Sequence, residues 1–373
     1  MYFFKTSGCS QYICALNVKL ALKKALYLLS VFYCLNTIAQ IGGSRPYRFL
    51  EIPVTARASA LGGNNMSIWG DDLNLIHSNP ALLNPNMSKQ IALNYSNYVS
   101  DINFGYVAYA HDLKQHGTVA ASMQFLNYGK FQGYDEFGAK TNTFRANDYC
   151  ISLNYAKPMA DSMFNIGIAL KTIISQYDIY TSLGNAIDVG ITYHSKRDFV
   201  ASIVAKNVGF MWKDYTSTAS TREALPRNVQ LGLSYKIQNA PFKIFLVYDN
   251  LLVWNLKYIN PADTAGRSSP FGNTTSREDS TGWQRFQEKT GNRVDNFMRH
   301  AIFGTEILLT KNFNLRVGYN YRRQREMALS ERRGVNGLSF GFGLKVKRFG
   351  FSYAFSKMAF PGNSSVFGLS MSL

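Results

Sequence analysis

From about Gln90 to the end of the chain one pattern recurs: roughly ten residues alternating apolar with small or polar ones, then a turn. Tyr149, Ile151, Leu153 and Tyr155 alternate with Cys150, Ser152, Asn154 and Ala156; Phe164, Ile166, Ile168 and Leu170 alternate with Asn165, Gly167, Ala169 and Lys171. Val229, Leu231, Leu233 and Tyr235 repeat the pattern, as do Leu315, Val317, Tyr319 and Tyr321 and the run from Leu338 to Val346. A period of two places each set on one face of a strand. Here the polar face carries Lys171, Asp188, Asn154, Arg316 and Lys345, so the continuous apolar surface belongs to the other side. The pattern predicts about fourteen strands, centred near Tyr95, Tyr106, Met123, Leu153, Ile168, Val189, Val204, Leu231, Leu246, Phe303, Val317, Phe342, Tyr353 and Leu369.

The connections alternate too. Short ones fall at "DLKQHG", "KPMADS", "SKRD", "QNAP", "TKN" and "KR". Between them come longer ones, Gly129 to Ala146, Lys213 to Arg227, Ile259 to Arg299 and Arg322 to Asn336. Short turns on one rim and long loops on the other are what an up-and-down outer-membrane barrel requires, and a soluble sandwich has no need of the alternation. In lipid every backbone amide must be paired, so a chain with no twenty-residue apolar helix beyond its leader crosses only as a closed barrel. The reading is therefore all-β, a transmembrane outer-membrane β-barrel over residues 90–373. Tyr98, Tyr193, Trp212, Trp254 and Tyr258, near segment ends, fit interfacial girdles.

The remainder divides in two. Residues 1–39 have Lys5, Lys19, Lys23 and Lys24 and no acid, then the apolar run "ALYLLSVFYCLNTIA", too short for a bilayer and closing on small residues. This reads as a secretory signal peptide cleaved near Ala39. Cys9, Cys14 and Cys34 would leave with it, so Cys150 alone remains and no intrachain disulfide forms. Residues 40–89 do not alternate. There Gly62-Gly63 and Asn64-Asn65 make a turn, Asp71 and Asp72 are candidate caps, and Asn79 followed by Pro80 and Ala81 is a helix start, with Asn capping and Pro at the first helical position. A polar, part-helical segment of this size ahead of a barrel belongs inside it, as a hatch or plug.

Composition sharpens the reading. The chain holds 23 Tyr, 26 Phe and 29 Gly with only 17% charged residues, a balance suited to aromatic-rich strands. The net charge of +17 would suggest nucleic acid in another context, but not for an exported barrel. No His-Glu-x-x-His, Gly-x-Ser-x-Gly or phosphate-binding loop is present. His77, His111, His116, His194 and His300 are scattered, and Asp71-Asp72 lacks the spaced oxygen ligands of a calcium loop. Neither an enzyme, a cofactor nor a metal site is expected.

Two loops carry candidate contacts. In the longest, Trp283, Phe286, Val294 and Phe297 either meet a partner or pack over the barrel mouth. In "RRQREMALSERR", Arg322, Arg323, Arg325, Arg332 and Arg333 either face lipopolysaccharide phosphates or pair locally in solvent.

The stretches "TARASALGG" and "DDLNLIHSNPALL", followed by this barrel, resemble the FadL-type outer-membrane superfamily. Within it, "FLEIPVTARASALGGNN", the doubled "NPALLNP", "NYGKFQGYDEFG" and "DYCISLNYA" are similar to the PorQ family of the type IX secretion system. That resemblance implies a fourteen-stranded barrel with a hatch, acting as a non-enzymatic anchor in the cell-surface attachment complex. It would hold a PorZ-like surface protein beside PorU- and PorV-like partners while cargo is joined to lipopolysaccharide. The other reading, from the superfamily, is a channel for hydrophobic small molecules. The charged and small residues of the inward faces make a poor lipid path and favour the anchor.

Overall fold

The computed structural model describes residues 45–99, 101–159, 163–215, 223–256, 293–326, 336–357 and 363–373. The predicted leader, residues 1–39, lies outside them. Fourteen antiparallel strands close into one barrel in which every strand pairs with its neighbour in sequence and β1 (Gln90–Val99) pairs with β14 (Asn363–Ser372). Between them run β2 (Ile102–Asp112), β3 (Thr118–Tyr134), β4 (Lys140–Pro158), β5 (Phe164–Tyr177), β6 (Tyr180–His194) and β7 (Phe199–Lys213). The circuit is completed by β8 (Asn228–Lys236), β9 (Phe242–Tyr248), β10 (Ala301–Leu308), β11 (Phe313–Asn320), β12 (Leu338–Val346) and β13 (Phe349–Lys357). Each of the fourteen expected centres lies within its own strand.

Burial follows the period of two. Along β5, Asn165, Gly167, Ala169 and Lys171 are buried and face the lumen, while Phe164, Ile166, Ile168 and Leu170 are exposed. With Ile151, Leu153, Val189, Ile203, Leu231 and Ile244 these form an apolar belt around the outside, far more than a soluble surface tolerates. This is the outer surface of a membrane barrel. Among the described residues no helix is long and apolar enough to cross a membrane; the strands cross.

Two expectations need correction. Gly129 to Ala146 is a hairpin rather than a loop: β3 and β4 continue pairing through Lys130 with Arg145 and Phe131 with Phe144, past bulges after Asn127 and Gln132, to a tight turn at Asp135. Alternation fails there because β2 ends its pairing with β3 at Asn127 and β5 its pairing with β4 at Ala146, so the protruding tip has both faces in water. Tyr98 does not join a girdle. It follows Gln90, Ala92, Asn94 and Ser96 onto the lumen face and packs against Phe104. Trp212 is exposed beside Phe210, Trp254 is exposed beyond the end of β9, and Tyr193 packs on Phe164. Tyr258 lies outside the described residues.

Candidate functional site

The described part of the predicted hatch, residues 45–89, fills the lumen. Tyr47 bonds Ser182 near the long-loop rim, whereas Trp69 stacks on His194 and Asp71 pairs with Lys345 near the short-turn rim, so the segment spans the barrel's height. Its apolar side chains, including Phe49, Leu73, Ile76, Leu82 and Met87, are fully or almost fully buried. Its secondary structure comes in short turns because Pro53, the Asn-Pro steps and the glycines interrupt the runs. Asn79 caps Pro80–Leu82 by accepting from the Ala81 amide (2.8 Å), and Asn84 caps Pro85–Met87 in the same way. The expected helix start at Asn79 is thus a single 3-10 turn. Asp72 caps Leu73–His77, accepting from the Asn74 amide (3.1 Å); Asp71 caps nothing and instead pairs with Lys345 at 2.5 Å.

Lumen glycines make room for these turns. A Cβ at Gly167 would lie 2.3 Å from the Ala81 nitrogen and the Pro80 carbonyl carbon; one at Gly318 would lie 2.1 Å from the Gly62 nitrogen. At Gly190, Gly232 and Gly341 a Cβ would approach Asn79, Met66 and Ala60 of the hatch at 2.2–2.9 Å. Gly62 and Gly63 themselves have φ of 94° and 103°, a left-handed bend that other residues adopt only under strain. These strand glycines therefore serve the hatch, and their Cα atoms are its seat.

Charges fix the seat. Arg57, on the short helix Ala56–Ala60, donates to both oxygens of Glu306 on β10 (2.7 Å each) and to Asp72 (3.1 Å), while Arg316 on β11 adds a third contact to Glu306 (3.1 Å). Burial would lower the Arg57 pKa, but Glu306 and Asp72 outweigh it and hold it above the ordinary value. Across the lumen Lys171 pairs with Asp188 at 2.5 Å and donates to Asn207 (3.0 Å), whose own amide donates to Asp188 (2.7 Å). Asn207 has φ 56° at a bulge between β6 and β7. Lys206 faces inward in step with Val200, Ser202 and Val204, and the bulge turns Asn207 inward beside it.

Near the long-loop rim the packing leaves a cavity of about 80 Å³, bounded by Glu51, His77, Lys206, Asp249, Arg322 and Arg323 among others. The Lys206 ammonium donates to the His77 carbonyl (3.1 Å). His77 packs edge-on against Tyr106, and its imidazole is held well below the usual range, first by burial and then by the Lys206 and Lys171 cations.

The candidate contacts of the loops separate. Arg323 points in toward Gly63, and Arg322 approaches Asp249 at 3.9 Å, so both bound the cavity. Arg325 is exposed, donating to the Tyr321 hydroxyl (2.9 Å) and pairing with Asp295 at 3.5 Å. Val294 and Phe297 sit exposed on a helix over 293–300, with Phe297 against Tyr248. Trp283, Phe286, Arg332 and Arg333 lie outside the described residues. Sequence reading did not single out Arg57, Lys206, Asp249 or Glu306. The signal was available for two of them: Lys206 and Glu306 are ionisable residues within predicted strands, where charge in a membrane barrel demands a partner.

No protein-family profile matches the chain, and no curated protein matches it. Solved structures do. The Ralstonia pickettii toluene transporter TbuX aligns with a TM-score of 0.50 at 11% identity, over 87% of this chain and 99% of that one. A deltaS2 mutant of the monoaromatic hydrocarbon channel TodX gives 0.50 at 12% identity, over 86% and 97%. A Pseudomonas aeruginosa FadL homologue gives 0.46 at 9% identity, over 85% and 97%. The likeness to the first two is one of fold alone, that of a closed barrel.

Proposed function

We propose that this chain is an outer-membrane barrel held shut by its hatch and used as a non-enzymatic anchor at the cell surface. The observation that carries the reading is the seat of the hatch: backbone set directly on lumen glycines and locked by Arg57, Glu306 and Asp72. A plug so placed leaves the long-loop rim as the working surface. The resemblance of "FLEIPVTARASALGGNN" and "NPALLNP" to the PorQ family supplies the finer proposal, a component of the type IX secretion attachment complex. There it would dock a PorZ-like protein beside PorU- and PorV-like chains, near lipopolysaccharide. The exposed Phe297 and Val294 and the water-exposed tip of the β3–β4 hairpin supply contact surface on that rim.

A second reading, a channel for hydrophobic small molecules, is the one the comparisons favour, since the neighbours at a TM-score of 0.50 are a toluene transporter and a monoaromatic hydrocarbon channel. Against it stands the lumen, where Lys171, Asp188, Lys206, Glu306 and Arg316 are buried and where Glu51, Lys206, Asp249, Arg322 and Arg323 stand in the cavity wall beside a few apolar residues such as Leu50 and Ile302. Affinity purification from gently solubilised outer membranes separates the two. Co-purification of a large surface protein, lost when residues 282–298 are deleted, supports the anchor. Recovery of the protein alone with a bound apolar molecule, and toluene uptake by proteoliposomes containing it, would replace the anchor with the channel.

A further inference from the structure

We propose that the cavity at the long-loop mouth is a binding site for one phosphate group. Its walls hold three cations, Lys206, Arg322 and Arg323, and two carboxylates, Glu51 and Asp249. The carboxylates are already satisfied. Asp249 accepts from Asn228 (2.8 Å) and Gln230 (2.7 Å) at one oxygen and from Asn250 (2.9 Å) at the other, with Arg322 at 3.9 Å, while Glu51 pairs with Arg48 at 2.9 Å. Two cations are left over. Among the described residues Lys206 has no carboxylate partner and donates only to the His77 carbonyl, and the Arg323 Nη1 is buried with no hydrogen-bond partner.

A buried guanidinium nitrogen without an acceptor is costly, and a cavity that adds a buried ammonium with no carboxylate partner is built for an anion. Size and geometry select the class. A water needs roughly 10–15 Å³ of such space, so about 80 Å³ admits a tetrahedral oxyanion with a water or two, and excludes a whole sugar or acyl chain. Arg presents a planar fork that phosphate oxygens accept in pairs, and Lys adds a point charge. Gly63 belongs to the same device: a Cβ there would lie 2.6 Å from Arg323 Nη2, so its glycine keeps the guanidinium free to turn toward the cavity. The phosphate comes either free in solution or on the headgroup of a lipid whose chains remain outside.

The test uses the full-length protein in detergent, with calorimetric titration of inorganic phosphate and, separately, of dihexanoyl phosphatidic acid. Saturable one-to-one binding of either is the expected result. If phosphate displaces the lipid, both use one site; if only the lipid binds, the headgroup is the source. Lys206→Gln and Arg323→Gln should each weaken binding by about tenfold, the worth of one charge-assisted hydrogen bond, while Arg325→Gln should leave it unchanged. Because buried variants can fail to fold, crystals of the unaltered protein soaked in tungstate give an independent readout, an anomalous peak between Lys206 and Arg323. No binding of either phosphate, or a tungstate peak elsewhere only, overturns the proposal.

Discussion

Arg57 and Glu306 meet inside the barrel through two hydrogen bonds, Nε to Oε1 and Nη2 to Oε2, each 2.7 Å long. One residue belongs to the hatch and the other to the wall, so the pair is the point at which a separate segment becomes part of the sheet. Its energetics are asymmetric. Arg57 has a second partner in Asp72, and Arg316 depends on the same Glu306.

Removing Glu306 therefore strands the buried Arg316 and leaves Arg57 with Asp72 alone, whereas removing Arg57 leaves Glu306 with Arg316. Glu306→Ala should cost about 3–5 kcal/mol, the usual cost of breaking a buried ion pair from one side, and Arg57→Ala measurably less. Denaturant unfolding in detergent, followed by the loss of the folded band on an unheated gel, ranks the two. An Arg57→Ala variant as damaged as Glu306→Ala would mean that Arg316 does not hold the carboxylate.

The lumen glycines allow a sharper test of the seat. Gly167→Val asks a side chain to occupy space held by the backbone of Pro80 and Ala81, and backbone cannot swing aside as a side chain can. Expulsion or distortion of the hatch is the expected result, read as new protease cleavage within residues 45–89 while the barrel still migrates as folded. Gly70→Ala is the control, because nothing lies within 4 Å of its Cβ position. Equal protease resistance of both variants would show that the hatch is loosely held.

How much of this was readable beforehand depends on the range of the forces. The strands were legible because alternation between lipid and lumen is imposed residue by residue, and Ile168 or Leu231 declares its face without knowledge of its neighbours. The hairpin tip from Lys130 to Arg145 was not, since beyond the membrane nothing enforces the period. Asn79 was legible as a cap because an Asn-Pro step acts on its own next turn, and Asn84 caps by the same rule. What Asn79 reaches across the lumen was not: Thr192 lies 113 positions away in the chain. Lys206 was legible as inward, in step with Val200, Ser202 and Val204, but Asn207 joined it only through the bulge, a register shift that strict alternation cannot reveal.

That long reach makes Asn79 a third target. Its side chain accepts from Ala81 (2.8 Å) and donates to the Met66 carbonyl and to Thr192 (2.9 Å each), and it is fully buried. Asn79→Leu removes the cap on the Ala81 amide, worth about 1 kcal/mol, and leaves the Met66 carbonyl without this partner, worth about 1–3 kcal/mol more. Asn79→Asp keeps the acceptor to Ala81 but loses both donors, and so should fall between. Midpoints of denaturant unfolding for the three proteins check the order; a leucine variant as stable as the parent would remove Asn79 from the seat.

His77 gives the hatch a pH dependence of definite sign. Burial, with Lys206 and Lys171 nearby, holds its folded-state pKa well below the ordinary value of about 6.5. The unfolded chain then binds the proton that the folded one refuses. Stability is complete above about pH 6.5, where both states are neutral, and falls as pH drops from there toward the folded pKa. The imidazole packs edge-on against Tyr106, so His77→Phe preserves an aromatic contact while removing the titration. Melting measured from pH 8 to pH 5 should decline below pH 6.5 in the parent and decline less in His77→Phe. Parallel curves for the two proteins would mean that His77 accepts a proton in place, with water from the adjoining cavity solvating the charge.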